Sequence, residues 1–479
     1  MLGRKKTQVN FFDDILFVRM IPKDHPLVLI KEHVDFSFVE RIAAPLYSQD
    51  NGRPSYPPEV LFRVLFLEVW ANLSDVQVCR DLHYNLLFRY FCDIAWDDPI
   101  PDDTTLVVFR RRLGEETFAQ LFAEVVAQAK AKGLLKGEWT IVDGTKVRTH
   151  AAERTTLELL REGRRRVVDA LAKTDPEKAK ELSAYRDALP DKDYPDHQKL
   201  LEAERARTTE LLEKLTPETK GREGDLLERI VREEGPRSFV DPEARYGFQK
   251  KDEPFFGYKA IVAQDASGIV TGAEVVPGNT NEAAALLPLV EDLRARGVGA
   301  ERLAADRGYD GRELRERLAD RGVRLFTPMR PHKDLEGGFQ YDPETNQILC
   351  PQGKRSTHAT PHQRGGFLYQ FHAADCRGCP LRQTCLTGVR KAKVVYYRPD
   401  LHAERPKGIR RAMRIRRRIE GTFGEAKQWH RMERSRYVGR ARVRIQVLLT
   451  MTVRGAKRMV RMLTNPWRRG WRQRCAVGM

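Results

Sequence analysis

The chain has 479 residues, enough for two to four domains, and its 41% hydrophobic and 32% charged content excludes a disordered or fibrous protein. The net charge is +18, yet from Leu401 to Met479 there are 23 Lys+Arg against four acids, so the rest of the chain is close to neutral and the surplus sits in one tail. No apolar run approaches the length of a membrane span, and acids interrupt the opening MLGRKKTQVNFFDDILF where a signal peptide needs an apolar core, so a cytoplasmic protein is expected.

From Pro57 to about Lys132 apolar residues recur at helical spacing, which predicts an all-helical N-terminal domain over 1–136. Ser74 can cap the helix DVQVCRDLHYN, and Asp102 with Asp103 can start the helix TTLVVFRRRLG, which ends at a glycine. Two such helices, the second carrying Arg110, Arg111 and Arg112, permit a helix-turn-helix DNA reader, and a plain helical bundle accounts for them equally. After Gly137 the period changes. EWTIVDGTKVRT alternates like a strand within 137–150, and 239–331 continues with YKAIVAQD and GIVTGAEVV as a hairpin around Ala266 to Gly268, then helix, strand, helix, strand. That order, β-β-β-α-β-α-β, describes an α/β mixed sheet with flanking helices.

Two segments interrupt it. Residues 151–238 are highly charged with helical clusters broken at prolines, and fit a helical hairpin, a short coiled coil or a solvated spacer. Residues 332–391 hold four cysteines and little helical signal, which predicts a compact β-rich or loop-rich insertion. Cys350, Cys376, Cys379 and Cys385 form C-x25-C-x2-C-x5-C, a set that suits a closed tetrahedral zinc site; His362 or His372 could replace a cysteine, and four unliganded thiols are the alternative. So few cysteines in so long a chain do not make a secreted disulfide framework.

The final segment, 392–479, is rich in Arg interleaved with Trp429, Tyr437, Trp467 and Trp471, a composition that suits nucleic acid, with a solubilising tail or an acidic partner as the alternatives. Within it RIRRRIEGTFGEAKQWHRMERSR holds Glu420 behind a wall of arginines. Asp143, at the end of the expected first strand in IVDGT, and Asp306, in LAADRGYDG, would stand together at one sheet edge, where their repulsion calls for a cation. Mg²⁺ answers that need, since it takes one or two carboxylates plus phosphate oxygens. On one helix Arg416, Glu420 and Lys427 share a face, so Glu420 could be a third ligand with Arg416 and Lys427 holding phosphates. Ordinary i,i+4 ion pairing of Glu420 is the competing explanation.

On these residues the chain resembles the bacterial insertion-sequence transposases of the DDE class, whose catalytic domain is ribonuclease H-like. The strand order is similar, with Asp143, Asp306 and Glu420 at the positions of the three acids. The third-acid signature Tyr-x2-Arg-x3-Glu-x6-Lys is met by Arg416, Glu420 and Lys427, while Met413 stands where the Tyr would fall. GYKAIVAQD, ADRGYDG and RRIEGTFGEAK also look familial, as does the helical start. The resemblance implies a five-stranded core, a Mg²⁺- or Mn²⁺-dependent two-metal phosphoryl transfer, double-stranded DNA ends and target as substrates, and a homodimer on DNA. It implies cleavage and strand transfer at inverted repeats. A ribonuclease H-like nuclease or resolvase that cuts without joining, and an inactive DNA-binding regulator, are the alternatives.

Overall fold

The computed structural model describes residues 1–3, 17, 19–48, 51–232, 235–248, 253–328, 335, 337–362, 366–386, 390–398 and 408–464. Most of the opening segment, and the tail with Trp467 and Trp471, lie outside the described residues. The chain divides into two compact units, one formed by Met1–Glu301 with Arg417–Met479 and the other by Arg302–Arg416.

In the first unit helices span Pro26–His33, Phe38–Ala43, Pro58–Trp70, Asp75–Tyr84, Leu86–Cys92 and Asp103–Ala131. The helix PEVLFRVLFLEVW is buried from Pro58 to Val69, its mostly apolar residues taking with them Glu59 and Arg63, which pair with each other at 2.6 Å, and Glu68. Phe36, Phe62, Phe66 and Phe91 pack ring to ring around it. Ser74 and Gln77 form the reciprocal cap at Asp75, as expected, and Asp102 caps Asp103. The helix TTLVVFRRRLG ends at Gly114, as expected: Gly114 leaves the helical conformation at φ +65° and ψ 173°, and a second helix sets off from this kink and runs to Ala131.

The sheet of this unit is antiparallel. Strand β1 (Thr140–Arg148) pairs one edge of the long strand that follows the insertion, matching Thr140 with Asp265 and Arg148 with Gly257. The other edge of that strand is shared by β2 (Arg245–Phe248), which the periodicity did not reveal, and the later hairpin partner; β3 is Pro254–Asp265 and β4 is Val270–Pro277. Gly257, at φ +149°, lies where these strands crowd, since a Cβ there would come within 2.3 Å of the Val147 carbonyl oxygen. Asp265 closes the hairpin: its carboxylate accepts from the backbone N–H groups of Ser267, Lys136 and Gly137 at 2.6, 3.0 and 2.9 Å. The helix Glu282–Ala295 packs on β3 and β4. The C-terminal helix Arg440–Thr464 packs on helices Pro26–His33, Pro58–Trp70 and Asp103–Ala131 and on β3 and β4.

The charged insertion is helical and has a core of its own. Helices Thr156–Thr174, His197–Glu213 and Pro217–Val231 enclose Leu159, Leu160, Val167, Leu171, Leu211 and Leu227. At its centre Arg164, fully buried, pairs with Glu204 and donates to Thr208 Oγ1 at 2.9 Å. A guanidinium so far from water is tolerated only with its partners in place.

In the second unit β5 (Arg302–Ala304) and β6 (Arg324–Phe326) are parallel and linked through helix Arg312–Ala319, a βαβ crossover. Helix Ile409–Arg416 packs on β5. The cysteine-rich part is β-rich, as expected: β7 (Gln340–Asp342) pairs β8 (Gln347–Leu349), and β9 (His358–Pro361), β10 (Phe367–Gln370) and β11 (Val394–Tyr397) form a three-stranded antiparallel sheet over Ile348, Tyr369, Phe371 and Val395. Among the described residues no helix is long and apolar enough to cross a membrane.

Replacing Glu204 by Ala should cost about 3 kcal/mol, because it strands the buried Arg164 charge. Thermal unfolding of the variant, with helicity followed by circular dichroism, checks this; an unchanged midpoint would mean the pair is dispensable.

Candidate active site

Asp143 lies in mid-strand, not at a strand tip as expected, because β1 continues through Gly144 to Arg148 with unbroken pairing to β3. Its Oδ1 accepts from the Gly144 N–H at 3.0 Å, and Asp143 is opposite Val262. Gly144 makes no turn and lies against a neighbour: an added Cβ would meet the Glu282 carboxylate at 2.5 Å, the mobile end of a side chain that would have to shift. Glu282, which opens the helix on β3 and β4, in turn lies 3.6 Å from the Lys259 ammonium. Neither residue is conspicuous in the sequence, since their nearness to β1 is created by strand pairing.

The one helix expected to carry Arg416, Glu420 and Lys427 is two helices, Ile409–Arg416 and Arg418–His430. At the junction the Glu420 N–H donates to the Arg417 carbonyl at 3.2 Å, a tight three-residue turn. On the second helix Glu420 and Lys427, seven residues apart, share a face. Glu420 is exposed in its first turn, where the helix dipole favours an acid.

This second helix is held on several sides within its unit. Thr422 Oγ1 donates to Gln264 Oε1 on β3, Arg418 Nη1 donates to the Ala266 carbonyl at 2.8 Å, and His430 Nδ1 lies 2.8 Å from the Val69 carbonyl. Beyond Arg431, in the left-handed conformation, the chain bonds to the end of β1: the Arg148 N–H donates to Glu433 and the Ser435 N–H to Arg148, at 2.8 and 2.7 Å. The strand of Asp143 and the helix of Glu420 are thus fixed to one another. Lys427 is half-buried, and burial pulls its ammonium below the ordinary lysine value; Glu433 opposes this, and Lys146 and Arg148 add to it. These last two cations follow Asp143 in the alternating KVR of β1, a signal the sequence reading passed over.

Asp306 belongs to the second unit. It follows β5 by two residues and caps a short turn, its Oδ1 accepting from the Gly308 N–H at 2.7 Å. The donors of Asp143, Asp306 and Glu420 are hard carboxylate oxygens of the kind Mg²⁺ takes. Among the described residues no three His, Cys, Asp or Glu are grouped so as to hold a metal ion.

Two family models match the chain: the one described as Transposase domain (DUF772) over residues 16–112, and the one described as Transposase DDE domain over residues 216–454. The chain belongs to the insertion-sequence DDE transposases. The second match contains Asp306 and Glu420 and begins after Asp143, on the far side of most of the helical insertion. In this transposase the first match ends at Arg112 and so includes Arg110, Arg111 and Arg112, within the helix Asp103–Ala131.

Those three arginines divide. Arg110, expected on DNA, is buried and turned inward. Its Nη1 donates to Glu68 Oε2 at 3.2 Å and to Asp75 Oδ1 at 2.8 Å, and its guanidinium lies 5.1 Å from the Tyr437 ring. Arg111 and Arg112 are exposed, Arg112 over the Tyr47 ring. Much of the transposase's C-terminal charge is likewise committed to ion pairs within this unit: Arg436 to Glu68 at 2.7 Å, Arg440 to Glu115 at 2.9 Å, and Arg444 to Glu116 and Glu274 at 3.0 and 3.1 Å. Glu425, on the Glu420 helix, faces the C-terminal helix; burial opposes its ionisation, but Lys457 at 2.7 Å and Arg454 at 3.5 Å hold its carboxyl below the ordinary value.

The four cysteines of the insertion are free and half-buried. Cys350, Cys376 and Cys385 pack against the small β core, and burial raises the Cys385 thiol, with Cys376, Cys379 and Cys350 adding to the rise and Lys393 opposing it. His372 caps a short helix through Nδ1, which accepts from the Ala374 N–H at 3.3 Å, and the His362 ring meets Tyr396 edge-on.

Burial pushes the Glu68 carboxyl up to about 7, ahead of the opposing pull of Arg110 and Arg436. Between the ordinary value of 4.5 and about 7 the native protein therefore holds a proton that the unfolded chain has shed, so this group makes stability fall as pH rises through that window. Glu68→Gln should flatten that part of the stability–pH curve, measured by urea unfolding at successive pH values.

Proposed function

We propose that this DNA transposase cleaves the inverted-repeat ends of its element and joins them to target DNA, with Asp143, Asp306 and Glu420 jointly holding the divalent cation. The observation that carries this reading is the fixed pairing of the Asp143 strand with the Glu420 helix, bordered by Lys427, Lys146 and Arg148. Mg²⁺ or Mn²⁺, when bound, would supply Lewis-acid stabilisation of charge at the phosphoryl oxygens. The chain's own residues position the strand. Lys427, whose ammonium is disfavoured by burial and then by its cationic neighbours, would be stabilised by an incoming phosphate. Glu420 is held out from the helix's first turn into solvent, where a backbone phosphate can approach. Arg416 would act on the phosphate backbone from the end of its own helix.

The catalytic core is read as ribonuclease H-like. Three antiparallel strands, a helix and a parallel crossover support it, in the order that fold uses. Arg111 and Arg112, with their helical neighbours, are proposed to contact the ends, and the protein to act as a homodimer that brings two ends together. The four cysteines are proposed to hold a structural zinc; what supports it is the affinity of thiolates for that metal and the packing of Cys350, Cys376 and Cys385 against one small core.

The deciding experiment is cleavage and strand transfer on a supercoiled plasmid carrying the element's own flanking ends. Asp143→Ala, Asp306→Ala and Glu420→Gln should each lose more than about a hundredfold in both steps, while retaining DNA binding in a mobility-shift assay. Full cleavage by the Asp143 variant would falsify its assignment; cleavage without joining by the wild type would favour a nuclease. Metal analysis of the purified protein should find one zinc per chain, lost in Cys376→Ser. A zinc-free, equally stable wild type would leave the four thiols as packing residues.

A further inference from the structure

A cavity of about 820 Å³ opens in the first unit beside the Glu420 helix, which contributes Arg418, Gly421 and Glu425 to its wall. The C-terminal helix supplies Arg454, Lys457, Arg458 and Arg461, and the β3–β4 turn and Lys136 complete the rim. The floor is apolar, formed by Leu29, Ile30, Trp70 and Val460. Six cations thus face a space that holds one acid, Glu425, and a cavity so charged suits a polyanion.

Three of the cations, Lys136, Arg418 and Arg461, are exposed and make no ion pair with any described residue. One buried group also points to a ligand. Gln264, fully buried on the cavity wall, accepts from Thr422 through its oxygen but leaves its Nε2 donor without a hydrogen bond. A buried donor of this kind is costly unless something accepts from it. Arg454, buried beside it, is already engaged, with Nη1 donating to the Gly268 carbonyl at 2.7 Å and Nε 3.5 Å from Glu425.

A double helix could offer this cavity only phosphates, because its bases are stacked and paired. An apolar floor under a cationic rim suits a ligand with a planar apolar part and a charged backbone, the chemistry of an unpaired nucleotide. We propose that the cavity is a subsite for single-stranded DNA, its phosphates on Lys136, Arg418 and Arg461 and a base against Leu29 and Trp70. This rests on the DNA-transposase reading and extends it by naming which form of DNA the flank of the Glu420 helix receives. Gln264 Nε2 then has an acceptor on the base or sugar.

The test is fluorescence anisotropy with a short labelled single strand and a blunt duplex, using the full chain without divalent cation. Lys136→Ala with Arg461→Ala removes two rim cations that no fold contact needs. Single-strand affinity should fall about tenfold and its salt dependence should become shallower by about 1.4 in log–log slope, with duplex affinity changing less than about twofold. Leu29→Glu, which places a carboxylate in the cavity, should weaken single-strand binding alike, with thermal unfolding confirming that the variants fold. Unchanged single-strand affinity in both variants, or single-strand and duplex affinities falling together, would overturn the subsite. Because no cleavage is read, the subsite can fail while the transposase reading stands, and the cleavage assay can fail while the subsite stands.

Discussion

The burial of the C-terminal helix Arg440–Thr464 is the constraint on which the first unit depends. Val443, Leu448, Met451, Val453, Ala456 and Met459 leave water together, packed against the N-terminal helices and the β3–β4 hairpin. A helix rich in arginine can be buried so only if the guanidinium groups at its margins find acids, because desolvating an unpaired charge costs more than the apolar contacts beside it return. Glu115, Glu116 and Glu274 meet Arg440 and Arg444, and Glu425 meets Arg454 and Lys457. The kink at Gly114 bears on this directly, since the two glutamates that follow it are partners of Arg440 and Arg444.

The same requirement sorts the cations of this protein into two populations. Arg110, Arg436 and Arg440 hold helices together through buried or half-buried carboxylates. Lys136, Arg418 and Arg461 remain in solvent without such partners, around a cavity next to the Glu420 helix. Net charge counts both populations equally, although only the second is available to a polyanion. The Glu420 helix stands between them, with Glu425 committed to the C-terminal helix and Glu420 exposed.

Much of the architecture was legible from periodicity. The alternation of EWTIVDGTKVRT, the hairpin at Ala266–Gly268 and the caps at Ser74 and Asp102 appear where the pattern put them, because each is a local property of a few consecutive residues. Strand β2 was missed because four residues, RYGF, carry too little alternation to stand out, and its existence depends on the edge of β3 it joins. The place of Asp143 along β1 was misjudged for a related reason. Gly144 looks like a turn glycine in sequence, but it continues the strand, paired with Ile261 of β3 and beside the Glu282 carboxylate.

The candidate site was legible in its residue types and not in its surroundings. Asp143, Asp306, Glu420 and Lys427 could be singled out from spacing, and the family match covers all but the first of them. Spacing could not show that Arg416 and Glu420 stand on separate helices, that Lys146 and Arg148 crowd Lys427, or that Arg110 faces inward. Secondary structure and charge type are written residue by residue, so the chain alone settled them. Whether a charge is buried, which acid it meets and which cations stay free depend on segments hundreds of residues apart, as Arg436 and Glu68 are, and only folding decides those.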